Sequence, residues 1–206
     1  MKLYLSSYHL GPRANIFGQM FTNKKVGLIS NALDFSTDKE RVEESTQKDI
    51  VDLISLGLHP ERLELRDYFH AQDQLEHTIA EFGGIWVRGG NSFILRRAMA
   101  YSGLDIILQK LRTSNFVYGG FSAGICVVAP TLKGLEFVDD PLVIPEGYQP
   151  EIVWEGLDFV PYALVPHYQS NHPESELIEK SVQYYVEHHL PYVTLKDGED
   201  ILEEIH

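Results

Sequence analysis

Apolar and polar residues alternate along the chain in two periods. Short buried-looking runs stand at Lys2 to Ser6, Lys25 to Ser30, Arg62 to Leu65, Ile85 to Val87 and Asn115 to Tyr118, and each reads as a strand. Between them lie helical patterns at Ala14 to Phe21, Lys39 to Leu56, Gln72 to Phe82, Phe93 to Ala100 and Leu104 to Arg112. The longest carries Val42, Ile50, Val51, Leu53, Ile54 and Leu56 as apolar marks and ends at Gly57, where a left-handed cap is usual. Strand and helix therefore alternate over the first two-thirds, which predicts a mostly parallel central sheet with helices on both faces. In such sheets the ligand site lies off the carboxyl ends of the strands. Two glycine-rich strand exits, at 89–90 and at 119–124, open onto that edge.

The pattern changes at Pro130 to Glu155, where Pro141, Pro145, Pro150, Gly134 and Gly147 imply an irregular excursion rather than a second domain. Ala163-Leu164-Val165 is a further buried strand leading into Pro166-His167. Pro173 to His189 reads as a helix, with Pro173 in its first turn. Tyr192 to Leu195 and Asp200 to Glu204 are the last strands. A length of 206 residues with no repeat or linker predicts one α/β domain, 1–206.

Composition narrows the classes. A hydrophobic content of 44% is enough for a substantial core. A net charge of −13 disfavours nucleic acid as a partner. The N-terminus lacks the pattern of a signal peptide, and no apolar run approaches the ~20 residues of a membrane helix, so the chain reads as cytoplasmic with no membrane partner. Its single cysteine, Cys126, lies in an apolar run and reads as a buried small hydrophobe.

The chemistry centres on Tyr118-Gly119-Gly120-Phe121-Ser122-Ala123-Gly124. A serine between strand and helix, flanked as Gly-x-Ser-x-Gly, fits a nucleophile elbow, in which a strained turn exposes the hydroxyl beside a helix N-terminus. The plainer use of Ser122 is as a helix N-cap. A serine nucleophile needs a base and an orienting acid. Of nine histidines, His167 follows a buried strand and so falls on the sheet edge of Ser122 if that strand is parallel; His172 is the other imidazole that could line the site. Asp139, Asp140, Asp158 and Asp197 are the candidate acids, and Asp197-Gly198 also suits a simple hairpin turn. A metal held by His167, His172 and the 139–140 aspartates is disfavoured, because no His-x-x-x-His pair occurs, and Arg88-Gly89-Gly90-Asn91-Ser92 lacks the lysine of a phosphate loop. No metal and no cofactor are expected.

Ile85-Trp86-Val87-Arg88-Gly89-Gly90-Asn91-Ser92-Phe93, followed by Tyr118 to Gly124, Ala129-Pro130-Thr131 and Pro166-His167-Tyr168, resembles peptidase family S51, the peptidase E or aspartyl dipeptidase group. The resemblance spans roughly 80 to 200. It implies a fold like the class I glutamine amidotransferases, a flavodoxin-like three-layer sandwich. It implies Ser122 as nucleophile, His167 as base, Asp197 as the third member within Leu195-Lys196-Asp197-Gly198, and the Gly90 and Ala123 N–H groups as oxyanion donors. The implied substrate is a small peptide, handled by a monomer or homodimer.

Three features depart from the family pattern. Arg88 stands where a third glycine is usual, and its guanidinium could cross the pocket mouth to meet a substrate carboxylate, with Asn91 and His172 as further substrate contacts. The segment 132–140 differs enough that aspartate specificity does not carry over. Longer relatives continue with further strand beyond the position of His206. Two other functions follow from these residues: a non-catalytic binding protein that kept the pocket, motivated by Arg88 and 132–140, or an α/β-hydrolase-like esterase in which Asp139 or Asp158 would serve His167.

Overall fold

A computed structural model of the chain describes residues 1–206. Eight strands and seven α-helices follow one another as β1 (Lys2–Ser6), α1 (Ala14–Met20), β2 (Lys25–Ile29), α2 (Lys39–Ser55), β3 (His59–Arg62), α3 (Gln72–Ile79), β4 (Gly84–Val87), α4 (Ser92–Ser102), α5 (Leu104–Lys110), β5 (Val117–Phe121), α6 (Ala123–Cys126), β6 (Ala163–Val165), α7 (Ser175–Glu187), β7 (Tyr192–Thr194) and β8 (Asp200–Glu204). The central sheet has the order β3-β2-β4-β5-β1-β8. All its pairings are parallel except that of the edge strand β8, which runs antiparallel to β1.

Alternation along each strand sorts the core into two layers. Leu3, Leu5, Ile85, Val87 and Tyr118 face the large cluster built with α3, α4, α5 and α6. Tyr4, Val26, Leu28, Trp86, Val117 and Phe121 face Phe17 of α1 and Leu53 of α2. The result is a three-layer α/β sandwich with both sheet faces covered. No helix is long and apolar enough to cross a membrane.

Two expectations need correcting. The third strand is His59–Arg62, not Arg62 to Leu65. It is an exposed edge strand, which needs no apolar side chains and tolerates Pro60. Leu63 and Leu65 are buried in the turn that follows. Nor does Ala163–Val165 belong to the central sheet: β6 and β7 form a separate parallel pair, in register from Ala163 opposite Tyr192 to Val165 opposite Thr194. In the long helix, Val51 and Ile54 are solvent-exposed, and Leu53 is the residue fully buried against the sheet.

The excursion from Pro130 to Glu155 is irregular, closed only by a bridge between Thr131 and Glu155. Arg97 of α4 is completely buried and holds it, donating to the carbonyls of Pro141, Val143 and Glu151 at 2.6, 2.9 and 2.8 Å. With the Pro150 carbonyl at 3.5 Å, four neutral acceptors surround a buried guanidinium, and burial lowers its pKa.

Packing is close where α6 crosses β4. A Cβ at Gly124 would stand 2.2 Å from the Val87 carbonyl oxygen, so only glycine lets the helix pass the strand. Gly124→Ala is expected to cost about 1–3 kcal/mol by overpacking. That is a fall of roughly 2–12 °C in Tm for a chain of this size, checked by thermal unfolding; an unchanged Tm would show that the strand can yield.

Candidate active site

Strand β5 is buried along its whole length and ends at Ser122, whose backbone has φ 51° and ψ −120°. A non-glycine residue there is strained by of order 1–3 kcal/mol and is kept there by its surroundings. The Ser122 carbonyl accepts from the N–H groups of Ile125 and Cys126 at 2.9 and 3.1 Å, so α6 starts directly from the turn. Ser122 occupies the N-cap position, yet its side chain makes no capping bond and has no partner within the chain. Gly89 leaves the hydroxyl its room, since a Cβ at 89 would lie 2.8 Å from Ser122 Cβ.

The parallel pair of β6 and β7 explains how an imidazole and a carboxylate meet. Both strands exit at the same end, so Pro166-His167 and Leu195-Lys196-Asp197 leave side by side. His167 Nδ1 lies 2.6 Å from Asp197 Oδ1. The ring is buried, and its backbone takes the left-handed value φ 60°. The Asp197 N–H donates to Ser170 Oγ at 2.8 Å, which fixes the carboxylate's backbone. The turn Lys196 to Glu199 joins strands of different sheets, so Asp197-Gly198 is not a hairpin turn. Asp139 accepts from the Ser92 N–H at 2.8 Å instead of meeting His167.

Ser122, Gly90 and His167 line a cavity of about 620 Å³. No hydrogen bond joins Ser122 Oγ to His167 in this structure. Gly90, at φ 141°, packs so closely on Ala32 that a Cβ would fall 2.4 Å from its carbonyl oxygen. The Gly90 N–H has no acceptor within the chain, and the Ala123 N–H, first in α6, has no intrahelical one. Gly90, Ala123, Ser122 and His167 also border a small recess of about 30 Å³. A free hydroxyl, a held imidazole and two open N–H groups therefore surround one space.

The remaining residues singled out from the sequence serve other contacts. Arg88 does not cross the mouth. Its guanidinium turns to α2, with Nε on Asp49 Oδ2, Nη1 on Thr46 Oγ1 at 2.6 Å and Nη2 on Ser45 Oγ at 2.9 Å. Asn91 caps α4, its Oδ1 accepting from Phe93 and Ile94 N–H at 2.9 and 3.0 Å, and its Nδ2 donating to the Asp140 carbonyl. His172 stacks on His167, with centroids 3.9 Å apart and planes within 10°.

The loop after β1 contributes residues that the sequence pattern did not single out. Ser7, Tyr8 and His9 all face the site: Ser7 bonds to Asp197 and His167, Tyr8 packs edge-on against His167, and His9 pairs with Asp49 at 3.1 Å. The available signal was position, since this loop leaves the carboxyl end of a central parallel strand.

Electrostatics divide the site's groups. Burial lowers the His167 pKa and nearby His172 lowers it further, against the opposing pull of Asp197, so the imidazole is held neutral. Burial raises Asp139 to about 6 and also raises Glu174, both on the cavity wall.

Arg88 and Asp49 are only 3% and 2% exposed, so neither charge can be released to water. Arg88→Ala leaves Asp49 with His9 as its one ionisable partner and is expected to cost about 3–5 kcal/mol in urea unfolding. A loss under about 1 kcal/mol, the range of exposed pairs, would contradict this.

With this geometry established, comparison with known proteins places the chain. The model of Peptidase family S51 matches residues 12–204. A Streptomyces coelicolor protein named Peptidase E is 32% identical over 123 residues, covering 57% of this chain and 47% of that protein. A Drosophila melanogaster protein named "Probable alpha-aspartyl dipeptidase" is 28% identical over 138 residues, covering 64% of this chain and 54% of its own. The chain thus spans about half the length of these curated relatives. A crystal structure of a candidate peptidase E from Listeria monocytogenes EGD-e superposes with TM-score 0.71 at 21% identity, over 100% of this chain and 98% of that one. A peptidase from an acI-B1 Actinobacterium superposes with TM-score 0.68 at 14% identity, over 98% and 83%. At these identities the solved structures speak for the fold, while the match across nearly the whole length identifies the chain as a member of peptidase family S51.

Proposed function

We propose that this chain is a serine peptidase of the peptidase E type, hydrolysing small peptides through Ser122, His167 and Asp197. The observation that carries the reading is the pairing of His167 with Asp197 at 2.6 Å beside an unpartnered, strained serine in the same cavity. A volume of about 620 Å³ suits a ligand of a few residues.

In this mechanism the neutral His167 accepts the Ser122 proton on Nε2 as Oγ attacks the scissile carbonyl carbon. Asp197 accepts from Nδ1–H, which selects that tautomer and stabilises the imidazolium that forms. The tetrahedral oxygen takes its charge toward the Gly90 and Ala123 N–H groups, each worth ~2.7–4 kcal/mol in comparable sites. The imidazolium then protonates the leaving amine, and water, activated by the same base, releases the acyl group. The binding-only reading was motivated by Arg88 and by 132–140; of these, the Arg88 guanidinium is committed to Asp49, Thr46 and Ser45.

Ser122→Ala should fold normally and lose dipeptide turnover by at least about 10⁴-fold, with Asp197→Asn falling by about 10⁴. Turnover assays on a dipeptide panel check this, and a Ser122→Ala protein that still hydrolyses peptides at full rate would end the proposal.

The pH profile has a definite sign. His167 must be neutral to act, and its pKa is lowered, so activity persists through neutral pH and fails only as acid protonates the ring. The acidic limb of kcat/KM should have its midpoint below the free-imidazole value of about 6.5. His172→Gln removes a group that lowers the pKa and should move the midpoint upward. A midpoint above that of free imidazole in the unaltered chain would mean that a different base is at work.

A further inference from the structure

Ser7 is the first residue of the loop that leaves β1, and it is completely buried. All of its polar atoms are occupied. Its N–H donates to the Glu199 carbonyl at 3.0 Å, ahead of the strand β8 that pairs with β1. The other two, the carbonyl oxygen and Oγ, face the proposed machinery. Its carbonyl accepts from the Ser122 N–H at 3.2 Å. Its Oγ accepts from the His167 backbone N–H at 2.8 Å. The one hydroxyl proton is left for Asp197 Oδ1 at 3.0 Å, with the Leu195 carbonyl more distant at 3.3 Å.

We propose that Ser7 is a positioning residue that ties Ser122, His167 and Asp197 into one register. The inference rests on the triad reading above. It answers a specific difficulty of this fold. Ser122 hangs from the central sheet, whereas His167 and Asp197 hang from the separate pair of β6 and β7. Two sheets that share no strand pairing can shift against each other, and a shift of about 1 Å can cost about 10²-fold in rate. Ser7 is joined to both, because its backbone belongs to the central sheet edge and its hydroxyl to the His167–Asp197 pair.

The hydroxyl acts in two ways. By accepting from the His167 N–H it satisfies a buried donor at a residue whose φ of 60° places that N–H outside any strand or helix. By donating to Oδ1 it aims the same carboxylate oxygen that receives His167 Nδ1. A substrate bound in the cavity touches neither contact, so the residue should govern the reactivity of Ser122 and leave substrate affinity alone.

The test compares the unaltered chain with Ser7→Ala in three readouts: labelling of Ser122 by a fluorophosphonate, kcat and KM on a cleaved dipeptide, and the far-downfield proton resonance of His167 Nδ1–H. Ser7→Ala is expected to slow labelling and lower kcat about 10- to 100-fold, with KM within about twofold and the downfield proton weakened or shifted upfield. Asp197→Asn, which replaces the charged carboxylate by a neutral amide, provides the reference spectrum. Ser7→Cys keeps the shape with a weaker donor and should fall between the two. Should Ser7→Ala not fold, that variant alone carries the test, with a reduced labelling rate expected. Labelling at the unaltered rate with the downfield proton in place, in whichever of the two variants folds, would overturn the role of Ser7 while leaving the triad standing. Failure of the unaltered chain to label at all would remove the triad reading instead, and this inference with it.

Discussion

Everything in the site depends on a turn that no serine would adopt unaided. Ser122 sits at φ 51° between a fully buried strand and a short helix, and the fold keeps it there by leaving it nowhere else to go. Gly124 lets α6 press onto the Val87 carbonyl, Gly89 clears the space beside the hydroxyl, and the Ser122 N–H is held by Ser7. The same turn that strains the backbone aims the hydroxyl at the cavity and leaves the N-terminal N–H of α6 beside it. Strain and exposed chemistry thus have one cause.

The second constraint is that two sheets must agree. The central sheet supplies the serine and the Gly90 N–H from neighbouring strands β5 and β4. The small parallel pair supplies the imidazole and carboxylate from its two adjacent exits. Parallel pairing makes each half self-consistent, because neighbouring strands end together. Agreement between the halves comes from side-chain and backbone bonds around the loop after β1 and from packing of β6 against α6, where Cys126 Sγ approaches the Leu164 carbonyl at 3.6 Å. Buried ion pairs, such as Arg88 with Asp49, secure α2 against this edge rather than reaching for ligand.

Much of this was readable in the residues. Strands β1, β2, β4 and β5 are short apolar runs bounded by turn residues, and the helices between them show clear periodicity, so the sandwich followed from pattern alone. The elbow was legible because glycine spacing reports backbone geometry directly. The residues alone left four candidate acids, and the resemblance to the family, through Leu195-Lys196-Asp197-Gly198, favoured Asp197, the carboxylate found at His167 Nδ1. What escaped was set by long-range contact. An exposed edge strand such as His59–Arg62 carries no hydrophobic signal. A three-residue strand such as Ala163–Val165 does not announce which sheet it joins. Arg88 looked like a pocket-mouth cation because its partners, Asp49, Thr46 and Ser45, lie some forty positions earlier on a helix whose polar face reads as solvated. Ser7 carries no motif signal, since its partners lie 160 and 190 positions away.

The most direct measurement is a crystal structure of the chain after reaction with a fluorophosphonate, which mimics the tetrahedral intermediate. The phosphorus should be bonded to Ser122 Oγ, with the phosphonyl oxygen about 2.7–3.1 Å from the Gly90 and Ala123 nitrogens and His167 Nε2 turned toward Oγ while Nδ1 stays on Asp197. An adduct on another residue, or a phosphonyl oxygen turned away from both nitrogens with His167 released from Asp197, would contradict the assignment.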